Sequence, residues 1–594
     1  MMRVPTWAPA CLCVVIAAFA FASVTAKGED APLFLPNVYE VNISYHMPYI
    51  GLVEPVHVVM DDPAGLQRLG FYDGMDLYYF NKSGFVDPDD PTSKQTDFEI
   101  LPVIDHKECF AHPQKSHRTI LPDVSSFVKI EGEYEDIDGM RCTKWILDQP
   151  TLNMTSTNIG IYHIYADAET GLIRRYNFLG HNSVFGGSHS DEYLIDYKDW
   201  VINDIDYTWF KLPKGFTQKS CALKTPTSEM KEYRDPREDL VSMFPESLHR
   251  TVEAFEAYKK TYDKTYTDSD EHAKRHLEFH WNLRFIHSHN RKGKSFWLGV
   301  NHLMDMTRDE LKAMSQGRLK DAVPDETHKY ADQVHVPAMR EHELPENVNW
   351  TASGAVTRVK DQGSCGSCWS FGTTGTIEGQ MFRKTGRLVR LSQQELMDCS
   401  WKYDNKACNG GTDSRSYRWM INTTGGTIAT EDSYGPYLNA AGWCHWDKAE
   451  RSSKITGYVA VPKGDMLAFN DAIANVGPLS VSVDATNPTF YYYAGGLYDD
   501  VTCGQSADHI VLVTGYATVN GQRYTLVKNS WSTHWGKEGY ILVTQKENAC
   551  GLANEATYPI MAENQPEEVI ASSDRVLGLK SESKTNINVR KMLE

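Results

Sequence analysis

The chain has 594 residues, 41% of them apolar, with 31 tyrosines and a formal net charge of -18. That length is too great for one hydrophobic core, and that composition excludes a disordered chain. The acidic balance argues against a nucleic-acid binder and suits an acidic compartment.

Residues 1–26 read as a secretory signal. Arg3 gives the positive start, Cys11 to Phe21 the apolar run, and Val24-Thr25-Ala26 a small-residue cleavage site. The run is short for a bilayer span, and no later stretch is long and apolar enough for one. Removal of Cys11 and Cys13 leaves ten cysteines for an oxidising compartment, where disulfides are expected. Sequons at Asn42, Asn81, Asn153, Asn349 and Asn422 are available for glycosylation. The expected destination is the lysosome or the extracellular space.

Residues 34–220 carry a β pattern. Gly160 to Tyr165 and Leu172 to Phe178 flank a polar turn and predict a hairpin. Phe127 to Ile130 and Cys142 to Leu147 flank another turn, at Asp138-Gly139. An antiparallel sheet with one wet face is expected. Its cysteines, Cys109, Cys142 and Cys221, are odd in number, so one pair and one leftover is the simplest outcome, with Cys109 and Cys142 expected as the pair. No catalytic set stands out here, and the region reads as a folding or shielding module. Residues 222–248 are polar and turn-rich, and read as an exposed linker.

Residues 250–312 are expected to be helical. Glu271, Arg275, Phe279, Asn282, Ile286 and Asn290 are spaced in threes and fours, which sets all six on one helix face. This mixed stripe resembles the interspersed helix motif of cathepsin L-type propeptides. Gly299-Val300-Asn301-His302-Leu303-Met304-Asp305 resembles that family's companion motif, with Leu303 where Phe is usual. The resemblance implies an inhibitory prosegment lying over an active site. His272, His276 and His280 form a second stripe. Its simplest reading is a solvated face. A metal pair would need an acidic or Cys partner arranged beside it. A third reading is a pH-sensitive face, on which protonation gathers like charge and weakens the helix.

Residues 313–343 lack periodicity and look like a processing segment; the last domain then spans 344–561, and residues 565–594 read as a disordered tail. Inside that domain Gln362-Gly363-Ser364-Cys365-Gly366-Ser367-Cys368-Trp369 opens an apolar run that reads as a helix. A helix N-terminus favours thiolate over thiol, and thiolate is the nucleophile. A thioredoxin-like pair or half a zinc site would also contain Cys365 and Cys368, but there is no βαβ context and no second C-x-x-C.

The run resembles the signature of papain-like cysteine proteases, and the resemblance extends over the whole last domain. It implies a two-lobed α+β fold, a helical lobe beside a β-barrel lobe. Cys368 is then the nucleophile. His509, in Asp508-His509-Ile510-Val511, is the base, roughly 140 residues downstream. Asn529, in Asn529-Ser530-Trp531, orients the imidazole. Gln362 and the Cys368 backbone N–H serve the oxyanion. The disulfides implied are Cys365–Cys408, Cys399–Cys444 and Cys503–Cys550. Ser392-Gln393-Gln394-Glu395 reads as a capping box.

Cys408-Asn409-Gly410-Gly411 resembles the family's glycine wall, where a missing Cβ lets substrate approach. Thr412 and Asp413 stand where that family places bulky apolar residues of the S2 pocket, and Glu555 matches the pocket floor. Two carboxylates there would favour a basic P2 side chain. Asp508 and Trp531 complete the expected substrate contacts. The short segment between Cys399 and Cys408 leaves no room for the occluding loop of cathepsin B, so an endopeptidase is expected.

No metal or organic cofactor is needed for this chemistry. The expected partners are peptide substrates, the prosegment as intramolecular inhibitor, and the N-terminal chain retained after processing. That last point follows from a resemblance in layout to the two-chain haemocyte proteases of insects. Two rivals are a binding protein that acts through its N-terminal domain, and a thiol–disulfide oxidoreductase.

Overall fold

The computed structural model describes residues 30–48, 51–81, 96–103, 106–113, 119–147, 160–181, 190–217, 220–223, 236–240, 251–319 and 326–566. The signal, the sequon at Asn153 and nearly all of the C-terminal tail lie outside the described residues.

The N-terminal region is one twelve-stranded sheet. In spatial order its strands are Ala222–Leu223, His106–Pro113, Thr96–Val103, Asp76–Asn81, Leu66–Phe71, Leu52–Asp61, Val38–Met47, Ser190–Ile202, Ile173–His181, Gly160–Asp167, Met140–Leu147 and Phe127–Ile137. All neighbours are antiparallel except the first pair. Period-two alternation sets the faces: Tyr39, Val41, Ile43, Tyr45 and Met47 are buried along one strand while the residues between them are not. These side chains join Phe71, Tyr176, Tyr193, Ile195 and Tyr197 in the main core of the sheet. A second cluster, with Leu77, Tyr79, Phe98 and Ile100, lies toward the other edge.

The disulfide of this region is Cys109–Cys221, not Cys109–Cys142. The reason is topological. Ala222–Leu223 adds alongside Phe110 and Ala111 at one end of the sheet, which brings Cys221 against Cys109. Cys142 belongs to the eleventh strand in spatial order, near the opposite end, where it is free and buried with Ile137 and Tyr165.

The expected exposed linker contains a short helix, α1 (Pro236–Leu240). Arg237, Asp239 and Leu240 are buried, with the Arg237 guanidinium 4.0 Å over the Phe80 ring.

The prosegment is built on α2 (Val252–Thr261) and α3 (Ser269–Arg291). Asp268 caps α3 by accepting from the Asp270 and Glu271 amides. The mixed stripe holds the prosegment together. Arg275 bridges to Glu310 and to the Asp305 carbonyl; Asn282 donates to the Met304 carbonyl; Asn290 donates to the Leu298 carbonyl and accepts from its amide. Phe279 and Ile286 fill the core between these contacts. A capping box of Thr307 and Glu310 starts α4 (Arg308–Ser315).

The histidine stripe runs from half-exposed at His272 to buried at His280, so only its first member fits a solvated face. His272 meets Glu256, His276 meets Thr251 and stacks on Phe255, and His280 is buried against Thr251.

The last domain has two lobes. In the helical lobe, α6 (Cys368–Thr385), α7 (Gln393–Cys399) and α8 (Asp413–Thr423) enclose Trp369, Ile377, Leu391, Leu396, Tyr417 and Trp419; the short α5 (Glu326–Lys329) packs at its edge. Ser392 caps α7 through the Glu395 amide, but the Glu395 side chain turns to the Ala429 amide and Arg451, so only half of the expected capping box forms.

The other lobe is a sheet whose central strands are Gln522–Lys528, His509–Val519 and Leu479–Val483. Strands from upstream of the domain occupy both ends of its spatial order: Phe296–Leu298 of the prosegment beside Tyr493–Tyr498, and Gln333–Val334 of the processing segment beside Arg451–Val461. Cys365–Cys408, Cys399–Cys444 and Cys503–Cys550 are bonded.

Candidate active site

Two elements from different lobes meet end-on. Helix α6 begins at Cys368, which is fully buried and unbonded. The strand from the other lobe begins at His509, and its next residue, Ile510, donates its amide to the Cys368 sulfur at 3.3 Å. The geometry of the imidazole follows from its neighbours. Asn529 Oδ1 accepts from the Ser530 amide at 2.8 Å, which identifies that atom as the oxygen. It also lies 2.8 Å from His509 Nε2, so Nε2 carries the proton and donates. Nδ1 is then the free base. Trp531 is buried, with its ring centroid 4.8 Å from that of His509. It keeps water from the His–Asn bond, which strengthens it.

Gln362 is held by its own oxygen, which accepts from Ser530 Oγ at 2.6 Å. Its amide nitrogen is thereby aimed at the Cys365 carbonyl, at 2.9 Å, and at the carbonyl of Met314 in the prosegment, at 3.0 Å.

The residues after α4 form a strap over this site. The Gly411 amide donates to the Gly317 carbonyl at 2.9 Å, and the Arg318 amide donates to the Asp508 carbonyl at 3.0 Å. Arg318 and Gly411 pair as a parallel bridge. Gly317 rests on Cys368, since a Cβ there would lie 2.6 Å from the Cys368 sulfur and 2.6 Å from the Gly366 carbonyl oxygen. Gly411 is equally tight from below: its Cβ would strike the Trp369 ring at 2.6 Å. Beyond the backbone, the Arg318 guanidinium forms a two-pronged ion pair with Glu555, at 2.8 and 2.5 Å.

Covered in this way, Cys368 and His509 are uncharged. Burial pushes the Cys368 thiol up to about 12, against the opposing pull of the Ile510, Trp369 and Gly317 amides. Burial also holds His509 down to about 4, against the pull of Asn529 and the Ser315 backbone. The helix N-terminus expected to favour thiolate is present, but desolvation outweighs it in the closed precursor.

The remaining sequence candidates separate. Glu555 faces the strap, with its side chain 22% exposed. Asp413 turns inward: it is buried, accepts from Thr557 Oγ1 at 2.6 Å, and burial raises its carboxyl. Thr412 caps α8 by accepting from the Arg415 amide. Asp508 is buried and accepts from the Ala485 amide. Among the described residues no helix is long and apolar enough to cross a membrane, and no cluster of three or more His, Cys, Asp or Glu could hold a metal.

Sequence reasoning missed Met314, Gly317, Arg318 and Ser530. A Gly-Arg pair in a polar segment after the inhibitory helices was the available signal for two of them.

Two family models match the chain: papain family cysteine protease over residues 344–560 and cathepsin propeptide inhibitor domain over 255–311. Cathepsin S of Bos taurus is 40% identical over 312 residues, 51% of this chain and 91% of that protein. Cathepsin L1 of Drosophila melanogaster is 41% identical over 327 residues, 52% of this chain and 85% of that protein. Cathepsin L of Sarcophaga peregrina is 42% identical over 321 residues, 52% of this chain and 92% of that protein. The chain belongs to the papain family of cysteine proteases, as a precursor of the cathepsin L type that contains its own propeptide inhibitor domain.

Proposed function

We propose that the protein is a cysteine endopeptidase of the secretory pathway, silent until the strap leaves Cys368. His509 Nδ1 takes the Cys368 proton, and the thiolate attacks a peptide carbonyl carbon. The oxyanion that forms is met by the Gln362 amide and the Cys368 backbone N–H. As the C–N bond breaks, the His509 proton passes to the leaving amine, and a thioester remains. Water then gives a proton to His509 and attacks the thioester; the C–S bond breaks and the thiol is restored. Asn529 holds the imidazole in the tautomer that both steps require.

The observation that carries this reading is the course of the strap. With the last turn of α4 that leads into it, it lays the Met314 carbonyl on Gln362, Gly317 on Cys368 and Arg318 on Glu555, which are the positions assigned to oxyanion, reacting atom and P2 side chain. The Arg318–Glu555 pair supports acceptance of arginine at P2, because a planar guanidinium already fits the carboxylate with two bonds. Glu555 alone carries that preference; Asp413 is engaged by Thr557.

Paired fluorogenic peptides with Arg or Phe at P2 test this. For the processed enzyme, Glu555→Ala is expected to lower the Arg-to-Phe ratio of kcat/KM about tenfold, equivalent to about 1.4 kcal/mol, with the Phe substrate little changed. An unchanged ratio removes the P2 assignment. Failure of the wild-type enzyme to cut either peptide removes the endopeptidase reading.

A further inference from the structure

Helix α3 has two engaged faces. Phe279, Leu283 and Ile286 enter the hydrophobic core shared with Tyr492, Tyr493 and Trp535 of the peptidase. Trp281, Arg284, Ser288 and Arg291, spaced by three, four and three, face the N-terminal sheet and α1 instead. Trp281 stacks on Tyr193 with ring centroids 5.0 Å apart and planes 14° from parallel. Arg284, fully buried, bonds Glu54 and the Asp239 carbonyl. Ser288 meets the Tyr72 hydroxyl at 2.5 Å. Arg291 contacts Glu54 at 3.1 Å, Asp76 at 3.3 Å and Asp239 at 2.5 Å, and lies 4.2 Å over the Phe71 ring.

Two guanidiniums thus sit in a socket of three carboxylates, all of them nearly excluded from water. Removing either side would strand buried charge, so the socket is selective for a helix carrying this Trp-Arg-Ser-Arg face. The inhibitory contacts are elsewhere: Met314 lies in the last turn of α4, Gly317 and Arg318 lie just beyond it, and none is on α3. Inhibition and attachment are separate parts of the prosegment.

We propose that the N-terminal sheet is a receptor for α3, and that α3 is the joint by which the N-terminal chain stays on the peptidase after the strap is cut. The retained chain then consists of the sheet together with the prosegment helices, and the peptidase is held through Phe296–Leu298 and the second face of α3. This rests on the peptidase reading above, and its partner is the protein's own catalytic domain.

The test uses the full-length precursor, cut by itself at acid pH or by limited lysine-specific proteolysis at the exposed Lys312 and Lys329. The products are separated by native size-exclusion chromatography and mapped by mass spectrometry, with an epoxide thiol probe added. One particle is expected, containing sheet, α3 and probe-labelled peptidase, with amides of residues 281–291 still slow to exchange hydrogen. Trp281→Ala combined with Arg284→Met is expected to release at least nine-tenths of the N-terminal chain while Cys368 still labels. Sheet and peptidase eluting together without α3, or apart from each other in the wild type, overturns the proposal. Loss of exchange protection in α3 on cutting overturns it without recourse to a variant. Absence of labelling at Cys368 instead defeats the peptidase reading, and leaves the elution result to decide the joint.

Discussion

The two ends of this molecule are specified in different ways. In the peptidase a few side chains decide the outcome, because chemistry needs a thiol, an imidazole and an amide at fixed separations. In the N-terminal sheet no single side chain does so; twelve strands bury one residue after another, by alternation in Val38–Met47 and continuously in Leu66–Phe71, each of modest effect. Substitutions should therefore act on rate with little change in stability at one end, and on stability with little change in rate at the other.

The sharpest way to break that contrast is Cys368→Ala. Activity of the processed enzyme should fall at least ~10⁴-fold, while the thermal midpoint of the precursor and its four disulfides stay as they are. Residual peptidase activity above that level in a purified variant would mean that another group is the nucleophile. Asn529→Ala should lose less, roughly 10²-fold, since the imidazole remains and only its tautomer and aim are freed.

The strap is the next largest effect. At position 317 a side chain must displace either the Cys368 sulfur or the Gly366 backbone, both 2.6 Å from the added Cβ. Gly317→Val should lift the strap and let a thiol probe label the uncut precursor at neutral pH at least about ten times faster than wild type. Equal labelling rates would show that the strap does not control access.

Acidity should act on the same strap. His509 is held to about 4 while covered and returns toward the ordinary 6.5 when uncovered. Above pH 6.5 the imidazole is neutral in both forms and exerts no bias. Between 6.5 and 4 only the open form takes up the proton, so the closed form loses stability as pH falls, by about 3 kcal/mol in all. The thiol biases the opposite end: covered Cys368 is pushed up to about 12, so opening is favoured again above the ordinary thiol range. The closed precursor should be most persistent between about pH 6.5 and 8.5. Strap opening, followed by hydrogen exchange of residues 314–319, should accelerate below pH 6.5 in the wild type and not in His509→Gln.

Legibility in the sequence follows the same division. Cys368, His509, Asn529 and Gln362 could be proposed from sequence because their motifs are local and the chemistry proposed for them restricts the residue type. The sheet could be named from alternation, and the inhibitory helix from its mixed stripe. Gly317 and Arg318 could not: in sequence they are two residues of a polar segment, and their meaning comes from Asp508, Gly411 and Glu555, all far along the chain. Helix α1 reads as linker in the sequence because only five residues are helical and only one is aliphatic. Its burial depends on partners in the sheet and on α3. Asp413 matched a pocket position, yet its carboxylate is satisfied internally by Thr557, a choice that spacing does not encode.

The cysteines of the sheet were the hardest to read, since connectivity cannot be deduced from an odd set of three. They supply the smallest prediction and the finest test of the contrast. Cys109–Cys221 closes a loop of sequence separation 112 and ties the edge strand down, so Cys221→Ser should cost about 2–5 kcal/mol of N-terminal domain stability. Cys142 touches Ile137 and Tyr165, donates only a weak thiol hydrogen bond to the Met140 carbonyl and forms no disulfide, so Cys142→Ala should cost only about 1 kcal/mol. Both are measurable by chemical denaturation of the precursor followed through the tryptophans, with non-reducing peptide mapping alongside. Neither should alter the rate at which the processed peptidase cuts its substrates. A Cys142 variant as costly as the Cys221 variant, or a mapped peptide joining Cys109 to Cys142, would reverse the pairing. It would also mean that the strand Ala222–Leu223 does not hold the sheet edge beside Phe110 and Ala111.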